Sequence, residues 1–346
     1  MPGHDIIVVG ASAGGVEALV ALASGLPRNL PAAVFVVLHI PAQSPSLLPE
    51  ILGRSGPFLA LSAVDGMAIE HECIYVAPPD HHLLVEPGHV HVVRGPRENR
   101  HRPALDPLFR SAAHAYGPRV VGVVLTGALD DGTAGLLAVK RRGGIAVVQD
   151  PDEALYPGMP RSALANVAVD YTLPLSAIGP FLARLAREPA AEEGAYPVPE
   201  DMEMEAKLVG MDMATMNGSE RAGKPSPFSC PECGGVLWEL QDGELLRFRC
   251  RVGHAFSVDS ILAEQSDVLE EALWAALKTL EESASLSRHL ASQARKRGQS
   301  HVAERFEERL RRAERHAALI RQLLIKGEPA PPTETSVNQP AGEKQA

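Results

Sequence analysis

Two groups of side chains in this 346-residue sequence have types and spacings that could do chemistry. The first is a serine in Gly10-Ala11-Ser12-Ala13-Gly14, a histidine at position 39, and the acidic pair Asp130-Asp131. A serine hydroxyl becomes a nucleophile near neutral pH only when a base takes its proton, and a carboxylate that orients the base completes the arrangement. The second group is Cys230-Pro-Glu-Cys233 followed, after sixteen residues, by Cys250-Arg-Val-Gly-His254. Two pairs of soft ligands at knuckle spacing match the pattern of a closed Cys3His zinc site with a structural role, and a segment this short needs metal in place of a core.

The elements around the first group must bring distant residues together. Ile6-Ile7-Val8-Val9 reads as a buried parallel strand, and the apolar spacing after Gly15 reads as a helix. Ser12 then stands at a strand-to-helix turn, on the sheet edge where open α/β folds bind ligands. Small neighbours on both sides of the serine fit a nucleophile elbow. The competing reading is a dinucleotide loop. It requires glycine at position 12 and an acidic residue closing the second strand, where the sequence has serine and Val37-Leu38-His39. Adjacent strands lie about 4.8 Å apart, so a histidine ending the neighbouring strand comes within reach of Ser12. Asp130 and Asp131 follow the strongly apolar strand 120–125. From spacing alone, either could be the orienting acid, or both could cap the helix at 133–141. The order serine, histidine, aspartate differs from the order in α/β-hydrolases.

Strands are predicted at 6–9, 33–38, 73–77, 83–86, 90–94, 120–125, 145–148 and 171–173, and helices at 15–26, 46–54, 107–116, 133–141, 160–165 and 176–186. This alternation gives an α/β domain over 1–187, with a mostly parallel sheet covered on both faces. The short strands within 73–94, separated by Pro78-Pro79-Asp80 and Glu86-Pro87-Gly88, read as an inserted β-hairpin. Residues 188–227 read as an acidic flexible linker with one helical turn. Residues 228–257 form a small zinc-ribbon-like module, 258–326 an α-helical hairpin, and 327–346 a disordered tail. The hairpin's stripes are Leu262, Leu269, Leu273, Leu277, Leu280, Ala284 and Leu290, then Val302, Phe306, Leu310, Ala313, Ala317, Ile320 and Leu324. Such stripes pack on each other, on the ribbon or on a second copy, giving a homo-oligomer. Cys73, alone in a strand, reads as core.

The formal net charge of −10 is concentrated in the linker, where 188–212 holds eight acidic residues against Lys207. No basic face suits nucleic acid, and no apolar run suits membrane insertion. Residues 1–5 lead directly into the first strand without a charged leader, so a cytoplasmic location is expected.

Segments 10–15, 38–41, 99–109, 125–132 and 156–163, in this order, resemble the catalytic domain of the CheB family of chemotaxis protein-glutamate methylesterases. The resemblance spans about residues 5–187 and implies a doubly wound sheet carrying a β-hairpin. It further implies Ser12 as nucleophile, His39 as base and Asp131 as orienting acid, because the family's acid directly precedes a glycine. The backbone N–H groups of Ala128 and His39 would form the oxyanion hole. The implied substrate is a glutamyl γ-methyl ester on cytoplasmic chemoreceptor helices, with glutamine deamidation as a related activity and no catalytic cofactor. Three departures stand out. Ala13 replaces the threonine of familiar members, Gly127-Ala128-Leu129 replaces a Gly-Met-Gly run, and no receiver domain precedes the catalytic strand. Control by phosphorylation in cis is therefore not expected. The alternative is a non-catalytic scaffold that binds a signalling partner through the ribbon and hairpin.

Overall fold

The computed structural model describes residues 3–210 and 223–326. The predicted tail and residues 211–222 of the predicted linker lie outside the described residues. Two compact units divide the chain, Met1–Glu264 and Gln265–Ala346.

The first unit is built on a seven-stranded sheet of order β3-β4-β2-β1-β7-β8-β9 in which every neighbouring pair is parallel. Its central strands are β1 (Ile6–Ala11), β2 (Ala33–Leu38) and β7 (Val120–Val124), all fully buried. They are flanked by β4 (Cys73–Val76) with edge strand β3 (Leu59–Ser62), and by β8 (Ile145–Gln149) with edge strand β9 (Tyr171–Leu173). Successive side chains of a strand point to opposite faces. Ile6 and Val8 therefore join Phe35, Leu105, Phe109 and Leu136 on one side, while Ile7, Val9 and Ala11 join Leu19, Leu22, Ile178 and Leu182 on the other. Helices on both faces explain why these strands read as unbroken apolar runs. Cys73 lies in the core, and β5 (His82–Glu86) and β6 (His89–Val93) form the separate antiparallel hairpin.

β3 was not expected. Its side chains, Leu59-Ala60-Leu61-Ser62, are exposed or half-buried, as suits an edge strand, and they carry no strong apolar signal. The acidic linker also differs from its composition. Residues Glu200–Val209 form α7, a ten-residue helix with Met202, Glu205, Leu208 and Val209 buried. Glu205 faces Arg110, Arg247 and Arg249, so partners remote in sequence neutralise the charge that composition reads as disorder.

Strands β10 (Lys224–Ser229), β11 (Val236–Asp242), β12 (Leu245–Cys250) and β13 (Ala255–Ser257) form an antiparallel sheet within the same unit. Helix Val258–Lys296 starts directly after β13. In the second unit its later turns run antiparallel to helix Ser300–Lys326. The pairs Glu281–Arg321, Arg288–Glu314 and Arg295–Glu307 fall a heptad apart on both helices, the spacing of coiled-coil flanking positions. Leu277, Ala284, Ala291 and Ala294 are buried on the first helix, and Ala303, Ala313 and Ala317 on the second. Leu262, Leu269 and Val302, assigned to the stripes from spacing, are instead exposed. Ile261 and Ala303, one position away, take the buried places at the two helix starts.

Candidate active site

The site is assembled by register. In the β1–β2 pairing, Ala11 lies opposite Leu38, so the next residues, Ser12 and His39, leave the sheet side by side. In the β1–β7 pairing, Gly10 lies opposite Val124, and the Ser12 N–H continues the row by donating to the Thr126 carbonyl at 3.0 Å. The chain after Ser12 turns through Gly14, whose φ of 70° is left-handed, into helix α1 (Gly15–Gly25). A side chain at Gly14 would be strained there, and small residues keep this turn tight.

His39 Nδ1 lies 3.0 Å from Ser12 Oγ, and its Nε2 lies 2.8 Å from Asp131 Oδ2. Asp131 is buried and accepts further bonds from the Leu105 N–H at 2.7 Å and from Asn99 Nδ2 at 2.9 Å. Burial pushes its carboxyl up, but the hydrogen bond and charge of His39, with the bonds from Leu105 and Asn99, outweigh burial. They hold Asp131 well below the usual carboxylate range. An ionised Asp131 accepts a hydrogen bond from Nε2–H, which keeps the proton on Nε2 and leaves Nδ1 as the acceptor for the serine hydroxyl. Beside it, burial and then the charge of Asp131 push Asp106 well up, so the negative charge of this pair resides on Asp131.

Neither aspartate caps the helix Thr133–Arg141: Gly132 stands at its cap position, and Asp106 Oδ1 accepts from the first-turn Gly135 N–H at 2.6 Å. Asp130 instead accepts a hydrogen bond from the Ser257 hydroxyl at 2.7 Å. Burial, with the nearby charges of Asp259 and Asp131, raises Asp130 to about 7.

Of the two N–H groups expected in the oxyanion hole, one is corrected. The His39 N–H donates to the Ala11 carbonyl at 3.3 Å, extending the β1–β2 ladder past its last residue. The Ala128 N–H has no partner among the described residues, and Ala128 is exposed beside the serine loop. The loop is held from behind. The Gly127 N–H donates to the Tyr156 carbonyl at 2.8 Å, and the Met159 N–H donates to the Gly127 carbonyl at 2.9 Å. Thr126 Oγ1 meets the Ala13 carbonyl at 3.0 Å and accepts from the Tyr156 N–H at 2.9 Å. A Cβ on Gly127 would fall 2.0 Å from Met159 Sδ and 2.9 Å from Ser12 Cβ, so only glycine fits between Ser12 and the Met159 wall behind it.

Two contributors lay in segment 99–109 without a role read from the sequence. His101 stacks on the His39 ring, with centroids 3.6 Å apart and planes 14° apart. Burial, followed by the charge of His39, lowers His101 to about 3, so it is a neutral plate against the His39 ring. Asn99 is the other, and its amide donates to both Asp106 and Asp131. The available signal was a polar run, Asn99-Arg100-His101-Arg102, placed just before an apolar helix.

The second group also converges. The ligand atoms of Cys230, Cys233, Cys250 and His254 all lie within 4.8 Å of one another. Cys233 Sγ is 3.7 Å from Cys250 Sγ, and His254 Nδ1 is 3.7 Å from Cys230 Sγ and 3.5 Å from Cys250 Sγ. All three cysteines are free thiols. Sulfur ligands about 2.3 Å from a tetrahedral zinc stand close to 3.7 Å apart, so this donor set fits that ion.

The family model of the CheB methylesterases matches residues 7–182, a span that includes Ser12, His39 and Asp131. This chain belongs to the CheB methylesterase family. A Leptospira interrogans relative with the provisional name protein-glutamate methylesterase/protein-glutamine glutaminase is 39% identical over 183 residues, covering 53% of this chain and 95% of that protein. An Anaeromyxobacter dehalogenans protein named protein-glutamate methylesterase/protein-glutamine glutaminase 5 is 41% identical over 186 residues, covering 53% of this chain and 51% of that protein. The crystal structure of the Thermotoga maritima CheB methylesterase catalytic domain superposes with a TM-score of 0.50 at 33% identity, over 52% of this chain and 98% of that domain. The CheB match ends before the cysteine module begins.

Proposed function

We propose that this chain is a serine esterase that removes methyl groups from glutamate γ-methyl esters of chemoreceptor proteins, and that the same site deamidates glutamine. The observation that carries this reading is the unbroken Ser12–His39–Asp131 chain, with contacts of 3.0 and 2.8 Å. The names of the relatives, protein-glutamate methylesterase/protein-glutamine glutaminase, support both activities.

In the first half-reaction, His39 Nδ1 takes the Ser12 proton as Oγ attacks the ester carbonyl. Asp131 stabilises the imidazolium through Nε2. The Ala128 N–H faces the developing oxyanion. His39 then protonates the departing methoxide, and methanol leaves an acyl-serine. In the second half, His39 takes a proton from water, which attacks the acyl carbon, and then returns that proton to the departing Ser12 Oγ, releasing free glutamate and restoring the hydroxyl. With glutamine as substrate, ammonia leaves in place of methanol. The replacement of threonine by Ala13 removes a hydroxyl beside the nucleophile and leaves the backbone donors intact. Val16, Leu155 and Tyr156 expose apolar surface in the segments around the nucleophile, which suits a helical protein substrate better than a small buried ester.

Cys230, Cys233, Cys250 and His254 would hold a structural zinc ion. With four protein ligands it has no open position, so it would cross-link the two knuckles and take no part in hydrolysis. No helix among the described residues is long and apolar enough to cross a membrane. A site of action on the cytoplasmic helices of receptors follows from the substrate class. The experiment is to incubate the purified chain with methylated receptor and measure methanol, with Ser12→Ala as the control. Methanol release that depends on Ser12 supports the reading; release by the variant at the wild-type rate overturns it.

A further inference from the structure

The cysteine module is not a free appendage. Arg249, adjacent to the ligand Cys250, pairs with buried Glu98 at 2.9 Å and with Glu205 at 3.2 Å. Glu98 also pairs with Arg110 at 2.8 Å, and Arg247 with Glu205 at 3.0 Å. These carboxylates and guanidiniums, contributed by the catalytic fold, α7 and the ribbon, form one buried network.

Directly after the ligand His254, the chain is bonded to the loop that supports the triad. The Ala255 N–H donates to the Arg97 carbonyl at 3.3 Å, and the Asn99 N–H donates to the Ala255 carbonyl at 2.8 Å. Asn99 Oδ1 accepts from the Ser257 N–H and from the Ser260 hydroxyl, both at 3.0 Å. Its Nδ2 donates to Asp106 at 2.8 Å and to Asp131 at 2.9 Å. An amide side chain has two donor and two acceptor positions, and all four of Asn99's are filled. The two acceptor bonds face the ribbon's exit strand and the helix that follows, and the two donor bonds go to Asp131 and its neighbour Asp106. The Ser257 hydroxyl adds a bond to Asp130, the neighbour of that acid. Asn99 and Arg100 have φ of 48° and 72°, a left-handed conformation that asparagine adopts readily and arginine rarely. The next residue, His101, is the plate against His39.

We propose that the Cys3His module is a metal-dependent positioning element for the triad. It grips loop 97–101 so that Asn99 fixes Asp131 and His101 fixes His39, and loss of the metal lowers hydrolysis by releasing that loop. Asn99 is thus a positioning residue whose own orientation is set from the ribbon. This deepens the esterase reading and rests on it.

The test uses the purified full chain loaded with zinc. Removing the metal with a chelator under reducing conditions is expected to speed hydrogen exchange in segments 97–106 and 255–260. It should also lower kcat by about tenfold or more with a smaller change in KM, as loss of a supporting shell does. Adding zinc alone should reverse both effects. Ser257→Ala contacts neither the metal ligands nor the triad. It should reproduce the faster exchange and lower kcat at unchanged metal content, and Ser257→Thr, which keeps the hydroxyl, should restore them. Unchanged exchange over 97–106 after metal loss overturns the proposal, as does wild-type kcat in both Ser257→Ala and Asn99→Ala. Should the chelated chain unfold as a whole, the metal-loaded Ser257 and Asn99 variants decide. An inactive zinc-loaded wild type would instead count against the esterase reading, and the exchange data would still report the coupling.

Discussion

His39 presents Nε2 to Asp131 at 2.8 Å and Nδ1 to Ser12 at 3.0 Å, so Nδ1 is the ring nitrogen that faces the serine hydroxyl. Register dictates that arrangement. Ser12 and His39 leave adjacent parallel strands at the same level, and Asp131 lies in the loop after β7 on the other side of β1. The ring must bridge them, and the ionised acid fixes which nitrogen carries the proton.

Asp131→Asn tests this tautomer assignment. The amide keeps the shape of the acid but can present an N–H to His39, which favours a proton on Nδ1 and removes the acceptor for Ser12. A loss of kcat of about 10⁴-fold is expected, with little change in melting temperature. Loss of only a few-fold would show that the acid does not set the tautomer.

Asp130 should be visible in the pH dependence of stability. Its folded carboxyl titrates near 7, above the unfolded value, so the folded state holds the proton more tightly. The resulting stabilisation is complete below the unfolded pKa and is lost as pH rises through about 7. Asp130→Asn keeps an acceptor for Ser257 and removes the titration. Relative to wild type, its melting temperature should improve as pH rises from about 4 to about 7 and level off above that. A constant difference across that range would contradict the raised pKa.

Gly127→Ala probes the packing behind the nucleophile. The new methyl would sit 2.0 Å from Met159 Sδ and 2.9 Å from Ser12 Cβ, forcing one of them to move. A displacement of about 1 Å at a reacting atom costs on the order of 10²-fold in rate. Steady-state kinetics should show that loss mainly in kcat. Normal kinetics would mean that the wall yields without disturbing Ser12.

Arg249→Ala would leave Glu98 and Glu205 short of a buried partner. Removing one member of a buried charge network costs about 3–5 kcal/mol, so a clear drop in the urea midpoint is expected. An unchanged midpoint would show that the three segments are not held together by these charges.

The convergence of Ser12, His39 and Asp131 was legible because each closes or follows a strand whose apolar run is unmistakable, and parallel register does the rest. The choice of Asp131 over Asp130 was not legible from spacing, since it depends on Asn99 and Leu105 donating to one carboxylate and Ser257 to the other. Those partners lie up to 127 residues away in sequence. The His39 N–H was assigned to the oxyanion hole because the resemblance supplies a role but not the one-residue extension of the β1–β2 ladder that engages it. Helix α7 was hidden because Glu205 reads as a solvated charge until Arg110, Arg247 and Arg249 surround it.

The most direct measurement is methanol release from methylated chemoreceptor by wild type and Ser12→Ala at equal, verified fold. Release by the wild type and a fall of about 10⁴-fold or more in the variant is the predicted result. Equal release from both would contradict the assignment of Ser12 as the nucleophile, and with it the esterase mechanism.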